Sequence, residues 1–535
     1  MASVDALHRI RSGSKGRTGP SVELEEAICE QARLARDPRY DGRFFIGVTS
    51  TGIYCRPICP SPHARREHVR FFPSAAAAQD AGFRPCLRCR PEVAPGSSVW
   101  RGPSEIVRNA LRLISEGALD TGDVEGLAAR VGVSARHLSR LFQQHLGARP
   151  IAVAQARRLH FAKQLITDTQ LPMSQVALAS GYGSLRRFNA ALLEAYHRSP
   201  TELRNFGRTG RPRREPDEYV FHLAYRPPYD WDSLLAFLEA RATPGVESVK
   251  DGWYHRSIRL GAQNGFLSVA PKPDLHMLEV RIRFPDPSQL MEIISRVRTM
   301  FDLAADPEII TRHLSRDPLL EPFVRQFPGL RVPGAWEGFE MTVRAILGQQ
   351  VSVRGATTLA GRLAERFGQP LPSSGIAGVD RCFPDAGELA EADIRGLPDS
   401  RRWAIRSLAR AVVAHRIVFD AALTGGSLPA CFQNINGIGE WTTQYVAMRV
   451  LNDPNAFPAG DRVLRRAAGQ GVLLTERALA ERARAWIPWR AYAAMYLWRG
   501  TTAGREGAEN RPSVRPQVPV PPTQLPESGF PLCRP

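Results

Sequence analysis

Four cysteines of this 535-residue chain fall in two close pairs, Cys55-x3-Cys59 and Cys86-x2-Cys89, while Cys29, Cys382, Cys431 and Cys533 are scattered. Two thiol pairs on separate loops supply the four donors of a tetrahedral Zn²⁺ ion, and a zinc-bound thiol is held as thiolate at neutral pH. The thiolate is also the attacking form of cysteine. Such a site can staple a small fold or act as a nucleophile, and the spacing leaves both open. Arg56, Arg65, Arg66 and Arg70 surround it with positive charge suited to a phosphate backbone. A second constellation lies within Phe432–Arg466. Asn436-Gly437-Ile438-Gly439 is a tight turn between two helical patterns, and its glycines allow positive φ and close approach. The helix starting at Glu440 points its unbonded N–H groups at that approach, which suits an anion. Asp461 follows Phe457-Pro-Ala-Gly460, a break that places a carboxylate at a helix start. By itself the turn also fits an ordinary helix corner.

The elements that must hold these groups read in chain order. One ordered unit, Val22 to Ala94, surrounds the cysteines after a Gly/Ser/Arg-rich start. From Arg101 to Arg214 the pattern is helical, with 18 Arg and Lys against 8 Asp and Glu. It contains two helix-turn-helix units. In the first, Val124–Val131 leads through Gly132 to Ser134 as N-cap. Leu138, Leu141 and Phe142 then line an inner face, leaving Arg136, His137, Ser139 and Arg140 outward. The second unit repeats the scheme with Ser174–Ala179, a turn at Gly181–Gly183 and Ser184 as cap. Phe188, Ala191, Leu192 and Ala195 face inward there, and Arg186, Arg187 and Asn189 outward. Such outward faces suit a DNA major groove, although a solvated basic bundle shares the composition. From Tyr219 the texture changes to strands: Val280, Ile282 and Phe284 alternate with Glu279, Arg281 and Arg283, and a helix spans Leu290–Leu303. Phe323 to Gly500 is helical again, and 501–535 is Pro-rich and aperiodic.

The net charge of +18 favours a polyanionic partner. No apolar run approaches membrane-spanning length, and residues 1–22 lack a signal-peptide core, so no membrane partner is expected. Scattered cysteines amid ordinary core-forming sequence point to a reducing cytoplasm and a metal site rather than a disulfide scaffold. The fold expected is multidomain, mainly α with α+β parts. It comprises a disordered start (1–22), a small four-cysteine zinc domain (23–95), a double helix-turn-helix domain (96–207) and a linker (208–217). An α/β domain (218–322), a helical domain (323–500) and a disordered tail (501–535) complete it.

The stretch TSTGIYCRPICPSPHARREHVRFFPSAAAAQDAGFRPCLRCRP resembles the N-terminal domain of Ada-type adaptive-response proteins. The resemblance implies one Zn²⁺ held by Cys55, Cys59, Cys86 and Cys89, with Cys55 accepting a methyl group from a DNA methylphosphotriester and Arg56 among the DNA contacts. GYGSLRRFNAALLEAYHRSPTELR is similar to the double helix-turn-helix domain of AraC-type regulators, which makes Arg136, Arg140, Arg186 and Arg187 expected DNA contacts. YRPPYDWDSLLAFLEARATPGVESVKDGWYHRSI resembles the N-terminal α/β domain of AlkA-type 3-methyladenine DNA glycosylases, and FEMTVRAILGQQVSV resembles their DNA-wedge helix. With the helix-hairpin-helix turn, Asp461 and Trp489–Trp498, this likeness covers Tyr219 to Gly500.

The resemblance to AlkA-type glycosylases implies a glycosylase with Asp461 as catalytic carboxylate and Trp441, Tyr445 and Trp498 around the base, although each aromatic singly fits a core position. Gly437 and Gly439 would grip a phosphate, and Gln350 would occupy the wedge position. A purine alkylated at N3 or N7 is cationic, so its glycosidic bond is already weak. The enzyme must flip the nucleotide out, hold the base on electron-rich rings and stabilise an oxocarbenium-like sugar. Two positions depart from the best-known relative: Gln350 replaces a Leu wedge, and Arg462 replaces an aromatic after the catalytic Asp. Trp441 stands where lyase relatives carry Lys, so no Schiff base is expected, and only Cys533 lies downstream to serve an iron–sulfur loop. A Pro-Cys-His-Arg motif for O6-methylguanine repair is absent from the sequence. The expected partners are double-stranded DNA, at alkylated lesions and promoters, and RNA polymerase contacted as an activator by a monomeric chain. A monovalent cation at the hairpin turn is the second ion expected. The alternative is a purely regulatory or structural DNA-binding protein with a retired glycosylase half, and the retained Asp461 argues against it.

Overall fold

The computed structural model describes residues 26–96, 105–115, 117–206, 217–372, 375–419, 432 and 435–509. The expectations for 1–22, for most of 208–217 and for 510–535 lie outside these residues.

In the first unit, α1 (Glu26–Ala35) packs Cys29 and Ala32 against Phe44, Ile46 and Val69. Strands β1 (Phe45–Val48), β2 (Ile53–Cys55), β3 (Val69–Phe72) and β4 (Arg84–Pro85) form a sheet ordered β3-β1-β2-β4. Ser74 caps α2 (Ala75–Asp80), whose small buried alanines let it lie close beneath Phe72 and Phe83.

Eight helices follow: α3 (Glu105–Ser115), α4 (Ala118–Thr121), α5 (Val124–Arg130), α6 (Ala135–Leu146), α7 (Pro150–Asp168), α8 (Met173–Ala179), α9 (Leu185–Tyr196) and α10 (Pro200–Phe206). Ser134 and Ser184 cap α6 and α9 through His137 N and Arg187 N, as the sequence predicts. Leu138, Leu141 and Phe142 are buried in a core shared with α3 and α5, and Phe188 and Leu192 are buried in the second unit.

The next sheet has the order β5-β9-β8-β7-β6, built from β5 (Glu218–Ala224), β6 (Glu247–Lys250), β7 (Trp253–Leu260), β8 (Gln263–Lys272) and β9 (Met277–Arg283), with α11 (Trp231–Glu239) and α12 (Leu290–Met300) against it. Val280, Ile282 and Phe284 are fully buried, as the alternation requires. Glu279 departs from the pattern. It is buried because Lys272 and Arg281 close on its carboxylate at 3.0 and 2.7 Å. The core of the second helix-turn-helix unit runs without a break into this sheet; Phe161 stacks on Phe221 at 6.5 Å.

The remaining helices are α13 (Pro307–Leu314), α14 (Glu321–Gln326), α15 (Gly338–Leu347), α16 (Val353–Phe367), α17 (Ala386–Ala390), α18 (Asp399–Val413), α19 (Glu440–Arg449), α20 (Arg462–Ala468), α21 (Glu476–Arg482) and α22 (Arg490–Glu509). The helical path of α22 continues past the boundary expected at Gly500. Ala503, Arg505, Glu506 and Ala508 favour helix, and no proline interrupts before Pro512.

The zinc-domain segment is keyed to its neighbours by polar contacts. Arg43 pairs with Asp306 and with Glu308 at 3.2 Å, Arg90 with Asp168 at 2.9 Å, and Lys163 with Glu92 at 3.1 Å. The Tyr54 hydroxyl lies 2.7 Å from His160 Nε2 on α7 and accepts from Gln79 at 2.8 Å. Burial lowers the His160 pKa to about 4, so the imidazole is neutral at pH 7. A histidine depressed in the folded state stabilises the fold above its ordinary value near 6.5 and loses that contribution as pH falls towards 4. We expect on the order of 2 kcal/mol to be lost at this junction between pH 7 and pH 5. Melting of wild type and His160→Gln across that range checks it, since only wild type should show this component. Equal pH slopes would contradict it.

Candidate functional site

β2 ends on Cys55, a turn carries Cys59, and the segment after β4 supplies Cys86 and Cys89. Their sulfur atoms all lie within 4.8 Å of one another; Cys55 is half-buried and the other three are buried. Four thiols at this spacing fit a tetrahedral Zn²⁺, whose sulfur–sulfur separations are about 3.8 Å. The donor set is sulfur only, which favours zinc over hard cations.

Arg56 corrects an expectation. It is 3% exposed, so it is no surface phosphate ligand. Its guanidinium pairs with the buried Asp41, with Nε 2.9 Å from Oδ1, and donates to the Cys89 carbonyl at 3.0 Å. Its backbone N–H donates to Cys89 Sγ at 3.3 Å. A buried charge requires a partner, and Asp41 provides it from 15 residues away. Arg65, Arg66 and Arg70 remain at the surface, with Arg70 over the rings of Phe72 and Phe83. On the helices expected to read DNA, Arg136 and Arg140 of α6 and Arg186 and Arg187 of α9 are all exposed.

In the helical region, Gly437 has φ +95°, and a Cβ there would press Ala404 Cβ at 3.0 Å. Gly439 corrects the expectation of two left-handed glycines. Its φ is −94°, and an added Cβ would meet nothing within 4 Å. It sits at the N-cap of α19 with no side chain over the free N–H groups. Gly439→Val should therefore cost no more in melting than the loss of an N-cap glycine, yet weaken binding to any duplex about tenfold, by keeping phosphate from the helix end. Gly437→Val should destabilise as well. Unaltered affinity of Gly439→Val, measured at fixed salt, would remove the phosphate grip.

Gln350 lies in the turn between α15 and α16, exposed, with φ +57°. A left-handed non-glycine conformation costs energy and is held in place here by its neighbour. Gln349 donates to the Gly437 carbonyl at 2.8 Å and to Thr442 Oγ1 at 3.0 Å, tying this turn to the hairpin. Sequence reading missed Gln349 because its partners lie 88 and 93 residues away.

Asp461 is the N-cap of α20, with Oδ1 accepting from Leu464 N at 2.9 Å. Two indole N–H groups converge on its carboxylate: Trp441 Nε1 is 3.3 Å from Oδ2 and Trp498 Nε1 is 3.3 Å from Oδ1. Trp441 stacks on Tyr445 at 5.3 Å and 7°, since positions i and i+4 of α19 share a face. Tyr445 meets Trp498 edge-on at 6.3 Å, and Phe237 of α11 closes on Trp498 at 6.4 Å. Tyr445 receives a hydrogen bond from Arg449 at 2.7 Å. Burial raises its phenol, but Arg449, Arg241 and Arg344 together hold the pKa below the usual tyrosine value. Arg462, the departure beside Asp461, is exposed. The structure thus brings Asp461, Trp441, Tyr445 and Trp498 together and adds Phe237, Arg241 and Arg449, which no motif announced.

The fold and these two centres define a class, a DNA-binding regulator with a thiol metal centre joined to a base-excision fold. Family models match residues 28–92 as the metal-binding domain of Ada, 127–205 as a helix-turn-helix domain, and 220–337, past the boundary expected at 322, as the AlkA N-terminal domain. The chain is 40% identical over 476 residues to the probable bifunctional transcriptional activator/DNA repair enzyme AlkA of Mycobacterium tuberculosis, across 88% of this chain and 95% of that protein. It is 32% identical to DNA-3-methyladenine glycosylase 2 of Escherichia coli, across 52% of this chain and 96% of that one. It is 44% identical over 128 residues to the bifunctional transcriptional activator/DNA repair enzyme Ada of Escherichia coli, across 24% of this chain and 35% of that one. The chain belongs to the family of bifunctional activator and repair proteins that join an Ada-type half to an AlkA-type half.

Proposed function

We propose that this protein hydrolyses the N-glycosidic bond of alkylated purines in DNA and, through its other half, senses methylated phosphotriesters and regulates transcription. The convergence of two indole N–H groups on the Asp461 carboxylate carries the first part. The indoles orient the carboxylate without neutralising it, so its full charge faces the positive charge that develops at C1′ as the bond breaks. The flipped base enters against Trp441 and Trp498, with Gln350 occupying the gap left in the duplex. Gly437 and Gly439 hold a phosphate, and a monovalent cation completes the hairpin turn. No lysine stands at position 441, so hydrolysis proceeds without a Schiff base and the strand is left uncut.

At the other centre, Cys55, Cys59, Cys86 and Cys89 would hold a Zn²⁺ ion, which would keep the Cys55 sulfur ionised at neutral pH. That sulfur attacks the methyl carbon of a phosphotriester. The carbon–oxygen bond breaks, its electron pair returns to the phosphate oxygen, and a diester anion leaves. Arg56 and Asp41 hold the loop bearing the nucleophile, and Arg65, Arg66 and Arg70 face the DNA backbone. Arg136, Arg140, Arg186 and Arg187 read a promoter, from which the protein acts as an activator by contacting RNA polymerase, as a monomer in the cytoplasm. Among the described residues no helix is long and apolar enough to cross a membrane. The linker at 208–217 separates the halves in sequence.

A duplex carrying one alkylpurine tests the reaction type. Base should be released with the strand intact, and borohydride should trap no protein–DNA adduct. A trapped adduct would assign a lyase.

A further inference from the structure

The AlkA-type half meets the cysteine domain through buried charge. Asp306 caps α13 and is fully buried; its Oδ1 accepts from Ile309 N at 3.3 Å and from Arg43, 263 residues away. Arg43, whose side chain is 3% exposed, also reaches Glu308 at 3.2 Å. Arg226 is fully buried too, and it donates to three carbonyls. Those of Ala304 and Ala305, at 2.7 and 3.3 Å, belong to its own half, and that of Gly96 belongs to the other. Gly42, next to Arg43, has φ +71°, and a Cβ there would strike the Pro95 carbonyl and press Arg226 at 3.2 Å. Backbone of the first half thus lies directly on Arg226, with no space for a side chain. Elsewhere between the halves, Ser295 of α12 donates to Ser115 of α3 at 3.4 Å, and the second helix-turn-helix core is continuous with the five-stranded sheet.

Halves swinging freely on a linker would keep the charges on their facing surfaces hydrated, because contacts between mobile domains are ordinarily polar and wet. Here Arg43, Asp306 and Arg226 have given up water, a cost offset by their partners across the junction. The same segment also faces the thiols. Asp41, two residues before Arg43, is the buried partner of Arg56, whose guanidinium donates to the Cys89 carbonyl at 3.0 Å. Asp41-Gly42-Arg43 thus grips the cysteine loops with one side chain and the AlkA-type half with another. We propose that α13 and the Arg226 segment form a docking face for this chain's own Ada-type half. The two halves then act as one body whose integrity does not depend on the linker, and loss of order at the thiol centre weakens the grip through Asp41-Gly42-Arg43.

A protease site placed within 208–217 of the full-length, zinc-loaded protein tests this. After cutting, the two fragments should still sediment together at micromolar concentration, as one particle with the mass of the intact chain. Arg43→Glu sets like charge against Asp306 and Glu308, and it should weaken the association of the cut halves about thirtyfold or more. If that variant fails to fold, Glu308→Arg opposes Arg43 from a half-buried position on the other side and should weaken the association as well. Chelating the metal should loosen the cut pair in the same way. Fragments of the zinc-loaded wild type that part on cutting would overturn the proposal. Equal association of wild type and the charge-reversed variants would overturn the charged docking face, and an unchanged grip after chelation would overturn its link to the thiol centre.

Discussion

Asp461→Asn should release alkylated bases at least two to three orders of magnitude more slowly, about the range seen when one preorganised electrostatic group is removed from an active site. The substitution isolates charge from structure. Asn caps helices about as well as Asp, so the bond to Leu464 N and the start of α20 survive. With the amide oxygen in the Oδ1 position, Leu464 N and Trp498 Nε1 keep their acceptor; Trp441 Nε1 loses only its 3.3 Å bond to Oδ2 and stays stacked on Tyr445. Binding to alkylated duplex should stay within a few-fold of wild type, since the developing sugar charge exists only in the transition state. Single-turnover release and equilibrium binding, measured side by side, check this. Near-wild-type release would remove Asp461 from the chemistry, and a matching loss of binding would make it a structural residue.

Cys55→Ser should abolish methyl acceptance while leaving base release within about twofold of wild type, because the second reaction uses groups on α19, α20 and α22. The consequence for DNA binding follows from charge. Four thiolates around a dication carry about −2, which opposes approach to phosphate, and converting one thiolate to a thioether leaves about −1. Removing one charge a few ångströms from a phosphate is worth about 1 to 1.4 kcal/mol in screened surroundings, or roughly five- to tenfold in affinity. Wild type should therefore bind its promoter roughly five- to tenfold more tightly after exposure to methylated DNA, and Cys55→Ser should show no such gain. Equal affinities before and after would eliminate the switch; a labelled methyl on Cys59 or Cys86 would reassign the nucleophile.

Both centres were legible in the sequence because their key residues are local. The cysteine pairs are three or four residues apart, Trp441 and Tyr445 share one helical face, and the Pro-Ala-Gly break announces Asp461 as a cap. Helix grammar likewise placed Ser134 and Ser184. What escaped depends on distant partners. Arg56 reads as surface charge until Asp41 is seen closing on it, and Phe237 and Arg241 reach the aromatic cluster beside Asp461 from more than 200 residues upstream. Gly439 belongs to the turn motif, yet its own backbone does not need glycine; only an approaching partner would. The continuity between the second helix-turn-helix core and the five-stranded sheet was invisible because a basic, polar segment separates them in sequence.

One chain is expected to carry out two distinct repair reactions, one stoichiometric and one catalytic. Duplex DNA treated with a labelled methylating agent holds both substrates, so a single incubation with purified full-length protein reads both. Label on the protein should plateau near one methyl per chain, on Cys55, while free 3-methyladenine continues to accumulate through many turnovers. A plateau in both, or free base without label on the protein, would contradict the account.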